Sequence, residues 1–141
     1  MRLNMDCVRD ILLCVEENTS LTEVCVFTDP RPGYEDIFSE QEIPEYRASL
    51  VDKYGADPTF YHVRYCVDAG LIQKRESNTT TLLIFDLTPK GHEFVNNIRE
   101  ANVWNKVKSV MIKAGASSLG AFMQSASDVV AELIRLNLPI A

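Results

Sequence analysis

The stretch "VRYCVDAGLIQKRESNTTTLLIFDLTPKGHEF", Val63–Phe94, constrains the fold of this chain more than any other. Its pattern predicts the end of a helix, two short strands and the start of a second helix within about thirty residues. Gly70 is typical of the residue that follows a helix, and the predicted strands are Leu71–Arg75 and Thr81–Leu87. A polar turn, Glu76–Asn78, joins them, so the stretch predicts an antiparallel hairpin held between two helices.

The remaining pattern is mainly helical. Apolar residues recur at intervals of three and four in five segments, and residues such as Asn4 and Thr88 are typical helix caps. The predicted helices are Met5–Asn18, the segment 44–54 with Pro44 as its first residue, Thr59–Ala69 after Asp57 and Pro58, the segment 89–114 before Gly115, and Ser117–Asn137. Asn96, Asn97 and Asn102 are poor helix formers, so the fourth helix is expected to bend there if anywhere.

A strand and an acidic loop are predicted between the first two helices. Leu21–Phe27 is rich in β-formers and alternates, which predicts a short strand. Pro30, Pro32 and Gly33 disfavour regular structure in the loop that follows, residues 28–43. Residues 1–43 carry ten acidic and three basic side chains, so the net charge of −6 is concentrated there. A solvated loop is the first interpretation, and a flap that binds a partner or excludes DNA is the second.

These elements predict a mainly α fold with a small β-hairpin, in the α+β class. Their order is helix, strand, helix, turn, helix, hairpin and helix, which is that of a winged helix-turn-helix. Residues 1–113 are predicted to form this domain, with 28–43 as an acidic loop insertion. Residues 114–141 are predicted to add a C-terminal helix that packs on the body or dimerises.

Three segments of the chain resemble a known family in the same order. They are "MRLNMDCVRDILLCVEE", "YHVRYCVDAGLI" and "LTPKGHEFVNNIR", and together they are similar to the bacterial and prophage family called domain of unknown function 2513. The resemblance covers about residues 1–108. It implies a winged-helix protein that is often associated with prophages, and it carries over no catalytic residue.

Double-stranded DNA is the first partner that this fold suggests, because the third helix of a winged helix enters the major groove. The helix residues expected to be exposed and to contact DNA are Thr59, Tyr61, His62, Arg64 and Tyr65. The cations expected to meet phosphates are Lys53, Lys74, Arg75 and Lys90. Arg64 is the best candidate base reader, since a guanidinium pairs bidentately with guanine. The alternative is that these are solvated charges of an ordinary surface.

A protein partner is the second suggestion, because a fold alone does not settle function. Apolar residues of the last helix repeat at intervals of three and four, and neighbouring apolar residues widen the stripe. The candidate dimerisation residues are Leu119, Phe122, Met123, Ala126, Val129, Val130, Leu133 and Leu136, with Ile134 beside them. A homodimer is expected, and an intramolecular hairpin between Val95–Lys113 and Ser117–Asn137 is the alternative.

Other classes of function find little support in the sequence. No motif for a catalytic nucleophile, a phosphate loop or a zinc quartet occurs, so the chain is expected to be neither an enzyme nor cofactor-dependent. The four cysteines are dispersed and sit where small apolar residues are expected, which favours core packing over metal binding. No apolar run is long enough to span a membrane and no signal peptide is evident, which predicts a cytoplasmic protein.

Overall fold

The computed structural model describes residues 1–75 and 80–137 as two compact units, Met1–Gly91 and His92–Ala141. The sequence predicts a different division, into a winged-helix domain of residues 1–113 and an added C-terminal helix of residues 114–141. That division stays a prediction. The described elements are helix α1 (Met5–Asn18), strand β1 (Cys25–Thr28), helices α2 (Glu45–Tyr54) and α3 (Ala56–Asp68), strands β2 (Ile72–Lys74) and β3 (Thr81–Leu87), and helices α4 (Pro89–Ile98), α5 (Ala101–Ala114) and α6 (Leu119–Arg135). A short 3₁₀ turn, Glu40–Glu42, lies in the acidic loop. The predicted mainly helical α+β class is confirmed.

Helix α1 begins and ends where the sequence predicts. The side chain of Asn4 accepts hydrogen bonds from the backbone N–H groups of Asp6 and Cys7, at 3.0 and 3.2 Å, which satisfies two of the free donors of the first turn. One face of α1 is fully buried and packs against α3, β3 and α2. It forms the centre of the first unit's core.

The three strands form an antiparallel sheet in the order β1-β3-β2. Ile72 pairs with Leu87 and Gln73 with Asp86, but Lys74 pairs with Ile84, so the extra residue Phe85 forms a bulge in β3. The pairing of β2 with β3 confirms the predicted hairpin, whereas the predicted turn, Glu76–Asn78, lies outside the described residues. On its other edge β3 pairs with β1, through Cys25 opposite Ile84.

Strand β1 is shorter than predicted and starts four residues later. The Ser20 hydroxyl accepts hydrogen bonds from the N–H groups of Thr22 and Glu23, at 3.2 and 3.1 Å, which folds this segment into a local turn. Leu21 is consequently fully exposed and not part of the strand. The prediction that the strand starts at Leu21 was wrong, because hydrogen bonds to the Ser20 side chain occupy backbone N–H groups that a strand would pair with its neighbour.

The junction between α2 and α3 also differs in detail. Pro44 caps α2 and is not its first helical residue, and α3 starts at Ala56 with Gly55 as its cap, before the predicted Asp57. Gly55 has a φ of +94°, which lets the chain reverse direction within one residue. Pro58 therefore lies in the first turn of a helix that has already begun.

A hydrogen-bonded junction closes the base of the hairpin. Thr88 donates its backbone N–H to the carbonyl of Leu71 at 3.0 Å, and its hydroxyl donates to the carbonyl of Gly70. The same hydroxyl accepts from the N–H of Gly91 at 3.0 Å, as expected for the cap of α4. The end of α3, both strands and the start of α4 are therefore fastened at one place.

The predicted long fourth helix is two helices. Helix α4 stops at Ile98, and Glu100, in an extended conformation, caps α5. The Asn96 side chain accepts a hydrogen bond from the Arg99 guanidinium at 3.0 Å, and asparagine is a poor helix former. The prediction of a continuous helix was wrong, because side chains such as Asn96 form local hydrogen bonds here and asparagine favours the helix weakly.

Helices α5 and α6 form a hairpin within the second unit. Gly115, with a φ of +68°, ends α5 as predicted, and Ser118 caps α6. The rings of Trp104 and Phe122 lie 5.5 Å apart between their centroids. Three residues of the predicted dimer seam, Phe122, Ala126 and Val129, are buried, while Leu119, Met123, Val130 and Leu133 are half-buried and Leu136 is exposed. The fold-back alternative is thus present in the single chain, and self-association stays a prediction.

No helix in the described part of the chain combines the length and the apolar character that a membrane crossing requires.

The Gly91 position provides the first testable prediction. A methyl group at Gly91 would clash with the carbonyl oxygen of Leu71, which is backbone and cannot rotate away. We expect Gly91→Ala to lower the free energy of unfolding by about 2–3 kcal/mol. Gly120, inside α6 and with open space around it, is the matched control, and Gly120→Ala should raise stability by about 1 kcal/mol. Urea denaturation of both variants measures the two free energies of unfolding. Equal changes in the two variants would contradict the close contact between Gly91 and Leu71.

Candidate functional site

The exposed face of α3 carries charges of both signs. Tyr61 and Arg64 are exposed, as predicted, whereas Tyr65, which was also expected to be exposed, is half-buried. Asp57 and Asp68 are exposed near its two ends. The face therefore offers one guanidinium and two phenol rings between two carboxylates, and its own net charge is negative.

Two predicted contact residues of α3 are buried and do not belong to this face. Thr59 is 2% exposed and His62 is 1% exposed. His62 Nε2 accepts a hydrogen bond from the backbone N–H of Asn4 at 2.8 Å, so its Nδ1 carries the proton and donates to the carbonyl of Pro58 at 2.7 Å. The expectation that Thr59 and His62 are exposed was wrong, because the buried face of α3 includes these two polar residues as well as its apolar ones.

The roles of these two side chains are structural. Thr59 donates its hydroxyl to the carbonyl of Gly55 at 2.7 Å, which reinforces the turn between α2 and α3. His62 joins the start of α1 to the first turns of α3. In the sequence, the sign of their burial is that Thr59 and His62 lie three positions apart and next to the apolar stripe of α3. This spacing does not identify their hydrogen-bond partners.

The hairpin and the start of α4 add three exposed cations. Lys74 and Arg75 lie at the outer end of β2, as predicted. Lys90 donates from Nζ to the carbonyl of Ala69 at 3.2 Å, where the last carbonyls of α3 lack helical partners. Lys90 is therefore held at the C-terminal end of α3, where a cation also complements the helix dipole.

Lys53, the remaining predicted phosphate ligand, is already paired. Its Nζ lies 2.7 Å from a carboxylate oxygen of Asp10, which also accepts a hydrogen bond from the hydroxyl of Tyr54. Burial and the Asp10 carboxylate raise the pKa of Tyr54, so this hydroxyl stays a donor at neutral pH. Lys53 would have to leave this arrangement to contact a phosphate.

The first turn of the acidic loop is anchored by a buried carboxylate. Asp29 is 4% exposed, and it accepts hydrogen bonds from the backbone N–H, Nε and Nη2 of Arg31. These hydrogen bonds hold the pKa of Asp29 below its usual value, and the charge of Arg64 acts in the same direction. Asp29 is therefore held ionised where the loop leaves β1.

A second anchor of the loop is a buried arginine that the sequence did not reveal. Arg47 of α2 is 6% exposed, and its Nη2 lies 2.5 Å from Oδ2 of Asp36. Burial alone would raise the pKa of Asp36, but hydrogen bonds from the Phe38 N–H and the Arg47 guanidinium lower it overall. A buried arginine at a position of mixed polarity leaves no periodic signal, because its partner lies eleven residues away.

The four cysteines are all free and buried, as expected for core residues. Burial raises the pKa of the Cys7 thiol to about 12, and it also raises that of Cys66. Both thiols are therefore protonated and unreactive at neutral pH.

The fold and these surfaces define a small α+β protein with a short sheet, a charged hairpin and an anchored acidic loop. The chain belongs to the family described as "Hypothetical protein (DUF2513)", whose model matches residues 2–117. An uncharacterized protein of Haemophilus influenzae is 26% identical over 142 residues, which covers 95% of this chain and 99% of that protein. No solved structure matches this chain.

The Asp36–Arg47 pair makes stability depend on pH. The pKa of Asp36 is below its ordinary 3.8 in the folded protein, so the pair stabilises the fold fully above about pH 5 and loses this effect as the carboxylate protonates on acidification. We expect Asp36→Asn to lower the free energy of unfolding by about 1–3 kcal/mol near pH 7, because Arg47 loses its charged partner. The difference between the variant and the unmodified protein should be smaller at about pH 3, below the ordinary pKa of the carboxylate, than at pH 7.

Urea denaturation at the two pH values measures this difference. Asp68→Asn, at an exposed carboxylate on α3, is the matched control and should follow the unmodified protein at both. A stability difference for Asp36→Asn that is the same at both pH values would contradict the assignment.

Proposed function

We propose that this chain is a winged-helix DNA-binding protein that acts as a non-catalytic transcriptional regulator in the cytoplasm. Helix α3 would be the recognition helix and the β2–β3 hairpin the wing. The order of α1, β1, α2, α3 and the hairpin supports this reading, as does the position of β1 beside β3, which completes a three-stranded sheet.

The observation that supports the proposal most is that some cations of the first unit form ion pairs and others do not. Arg31, Arg47 and Lys53 form ion pairs with carboxylates of the acidic loop or of α1. Arg64, Lys74, Arg75 and Lys90 are exposed and make no ion pair within 4 Å in the part of the chain that the structure describes. Arg2, near the N-terminus, is also exposed and has no ion pair within the described residues. The cations without a carboxylate partner therefore comprise Arg2 and those that the proposal assigns to the recognition helix, the wing and the start of α4.

The overall charge limits how such a protein would bind. With a net charge of −6, long-range attraction to DNA is weak, so contact depends on local cations at short range. Exposed Asp57 and Asp68 would also disfavour close approach of phosphates to the ends of α3. Affinity should therefore be modest and strongly dependent on salt, with Arg64 as the principal base contact.

Substitution of these cations tests the proposal. DNA selection from a random library would first identify a bound sequence, and fluorescence anisotropy at several salt concentrations would then measure affinity. We expect Arg64→Ala to cost about 1–3 kcal/mol and to relax preference at one base position. Lys74→Ala and Arg75→Ala should weaken all sequences alike, each reducing the salt slope by about 1.

Lys113→Ala in α5 is the control, since it removes an exposed cation that the proposal does not use. Absence of binding at low salt, both for the full chain and after shortening of the acidic loop, would eliminate the DNA-binding role.

Self-association through the α5–α6 hairpin is a second candidate function, with a second copy of this chain as the partner. A groove of about 590 Å³ runs along the hairpin, with apolar walls that include Val110 and Leu133. Leu136, the residue that caps α6, also lines the groove and is 48% exposed, and Ile134 of α6 is 64% exposed outside the lining. Lys106, Asp128 and Glu132 add charges to the lining, and Glu132 is paired with Arg135 at 2.6 Å.

Replacement of one exposed apolar residue tests this dimer. We expect Leu136→Asp, at an exposed residue of the groove lining, to shift the mass measured by light scattering from dimer to monomer, because a charge would have to be buried in the interface. Ile112→Asp, on α5 and 79% exposed but outside the groove lining, is the matched control and should leave the mass unchanged. A monomer mass at high concentration for the unmodified chain would eliminate self-association.

A further inference from the structure

The first unit contains a cavity that the DNA-binding proposal does not use. It has a volume of about 460 Å³ and opens beneath the acidic loop, between the end of β1, helix α2 and the first turns of α3. Its size falls within the range of sites for small molecules. Its apolar lining is aromatic and aliphatic and comprises Phe27, Pro30, Tyr34, Ile43, Ala48, Val51, Ala56 and Phe60.

The two anchors of the acidic loop hold this cavity in shape. Asp36 and Arg47 both line it, and their ion pair fastens the loop to α2. The guanidinium of Arg47 also lies 5.5 Å from the ring centroid of Phe38 in the loop. Asp29, which is buried and bonded to Arg31, fixes the loop where it leaves β1. A ligand would therefore meet a largely preformed site, at a low cost in conformational entropy.

Hydrogen-bond donors in the lining are mostly engaged within the protein. Arg47 donates to Asp36, and so does the hydroxyl of Thr28. The hydroxyl of Thr59 donates to the carbonyl of Gly55 at 2.7 Å, and the carbonyl of Leu50 lies 3.2 Å from the same oxygen. Among the described side chains of the lining, the Tyr34 hydroxyl is left as a donor. The site is therefore poor in groups that could receive a carboxylate or a phosphate.

Acceptors in the lining are in excess. Four carboxylates and one guanidinium line the cavity, and the ion pairs with Arg31 and Arg47 neutralise Asp29 and Asp36. Glu40 and Asp52 remain, both exposed and without an ion pair within 4 Å in the described ranges 1–75 and 80–137. Two uncompensated negative charges thus border an aromatic cavity.

We infer that this cavity binds a small organic amine with an apolar body. The ammonium group would donate to Glu40 and Asp52, and the apolar body would replace water against Phe27, Phe60 and Tyr34. An aromatic ring also attracts a cation that lies over its face. An anion would meet repulsion, and a neutral molecule would leave both carboxylates uncompensated. The inference does not depend on DNA binding.

Titration of the full chain with 2-phenylethylamine, followed by ¹H–¹⁵N correlation spectra, tests the inference. We expect saturable shifts that are confined to the end of β1, the acidic loop, α2 and the first turns of α3. Its neutral counterpart 2-phenylethanol and the anion 3-phenylpropionate should bind at least about five-fold more weakly, since one or two exposed ion pairs account for that difference. Equal binding of the alcohol and the amine would overturn the inference.

Variants then locate the charge that is recognised. The double variant Glu40→Gln and Asp52→Asn should bind the amine about ten-fold more weakly, because both ion pairs are removed. Asp68→Asn, an equivalent change on α3 and outside the cavity lining, should leave the affinity unchanged. Unaltered affinity in the double variant, or shifts outside the cavity, would show that the amine does not bind as proposed.

A salt titration keeps the test decisive if the double variant does not fold. Affinity of the unmodified chain for the amine should fall as ionic strength rises, whereas weak binding of the alcohol should not. A salt-independent amine affinity would count against the two carboxylates.

Discussion

The first unit depends on the junction at which the backbones of Leu71 and Gly91 almost touch. Only the absence of a side chain at Gly91 allows α4 to start against the carbonyl that precedes β2. Thr88 uses this proximity to bond both Gly70 and Leu71, so the end of α3 and the two strands share one fastening point. This junction also fixes where α3 and the hairpin cations lie relative to each other, because α3 ends there and the hairpin begins there.

Electrostatic pairing divides the first unit into two regions of different character. The acidic loop and α1 engage their neighbouring cations in ion pairs, most firmly at the buried Arg47. Within the described residues, the hairpin and the start of α4 leave their cations exposed to solvent. A chain of net negative charge thereby exposes cations without ion pairs at the hairpin, while the loop borders a cavity lined by carboxylates. The two proposed binding sites differ in charge for this reason.

The sequence predicted those features that depend on local chemistry. The caps at Asn4 and Thr88 and the stop at Gly115 each act within a few residues, and all three are confirmed. What it missed depends on distant partners. His62 is buried because its acceptor nitrogen meets a backbone N–H 58 positions away, and a helical period cannot reveal such a contact. Likewise the exposed cations of α3 and the hairpin were predicted, but the ion pair of Lys53 and the buried Arg47 were not.

The small sheet has consequences for how this protein meets other chains. Its outer strands have four and three residues, and Asp29 and Pro30 follow one of them. The other ends in Lys74, and Arg75 follows it. Short edge strands that are bordered by proline or by charged side chains resist pairing with a strand from another molecule. The sheet is therefore protected against edge-to-edge aggregation, and a partner cannot be recruited by strand addition. Recognition must use side chains on helices and in loops, where one substitution can change specificity and leave the scaffold intact.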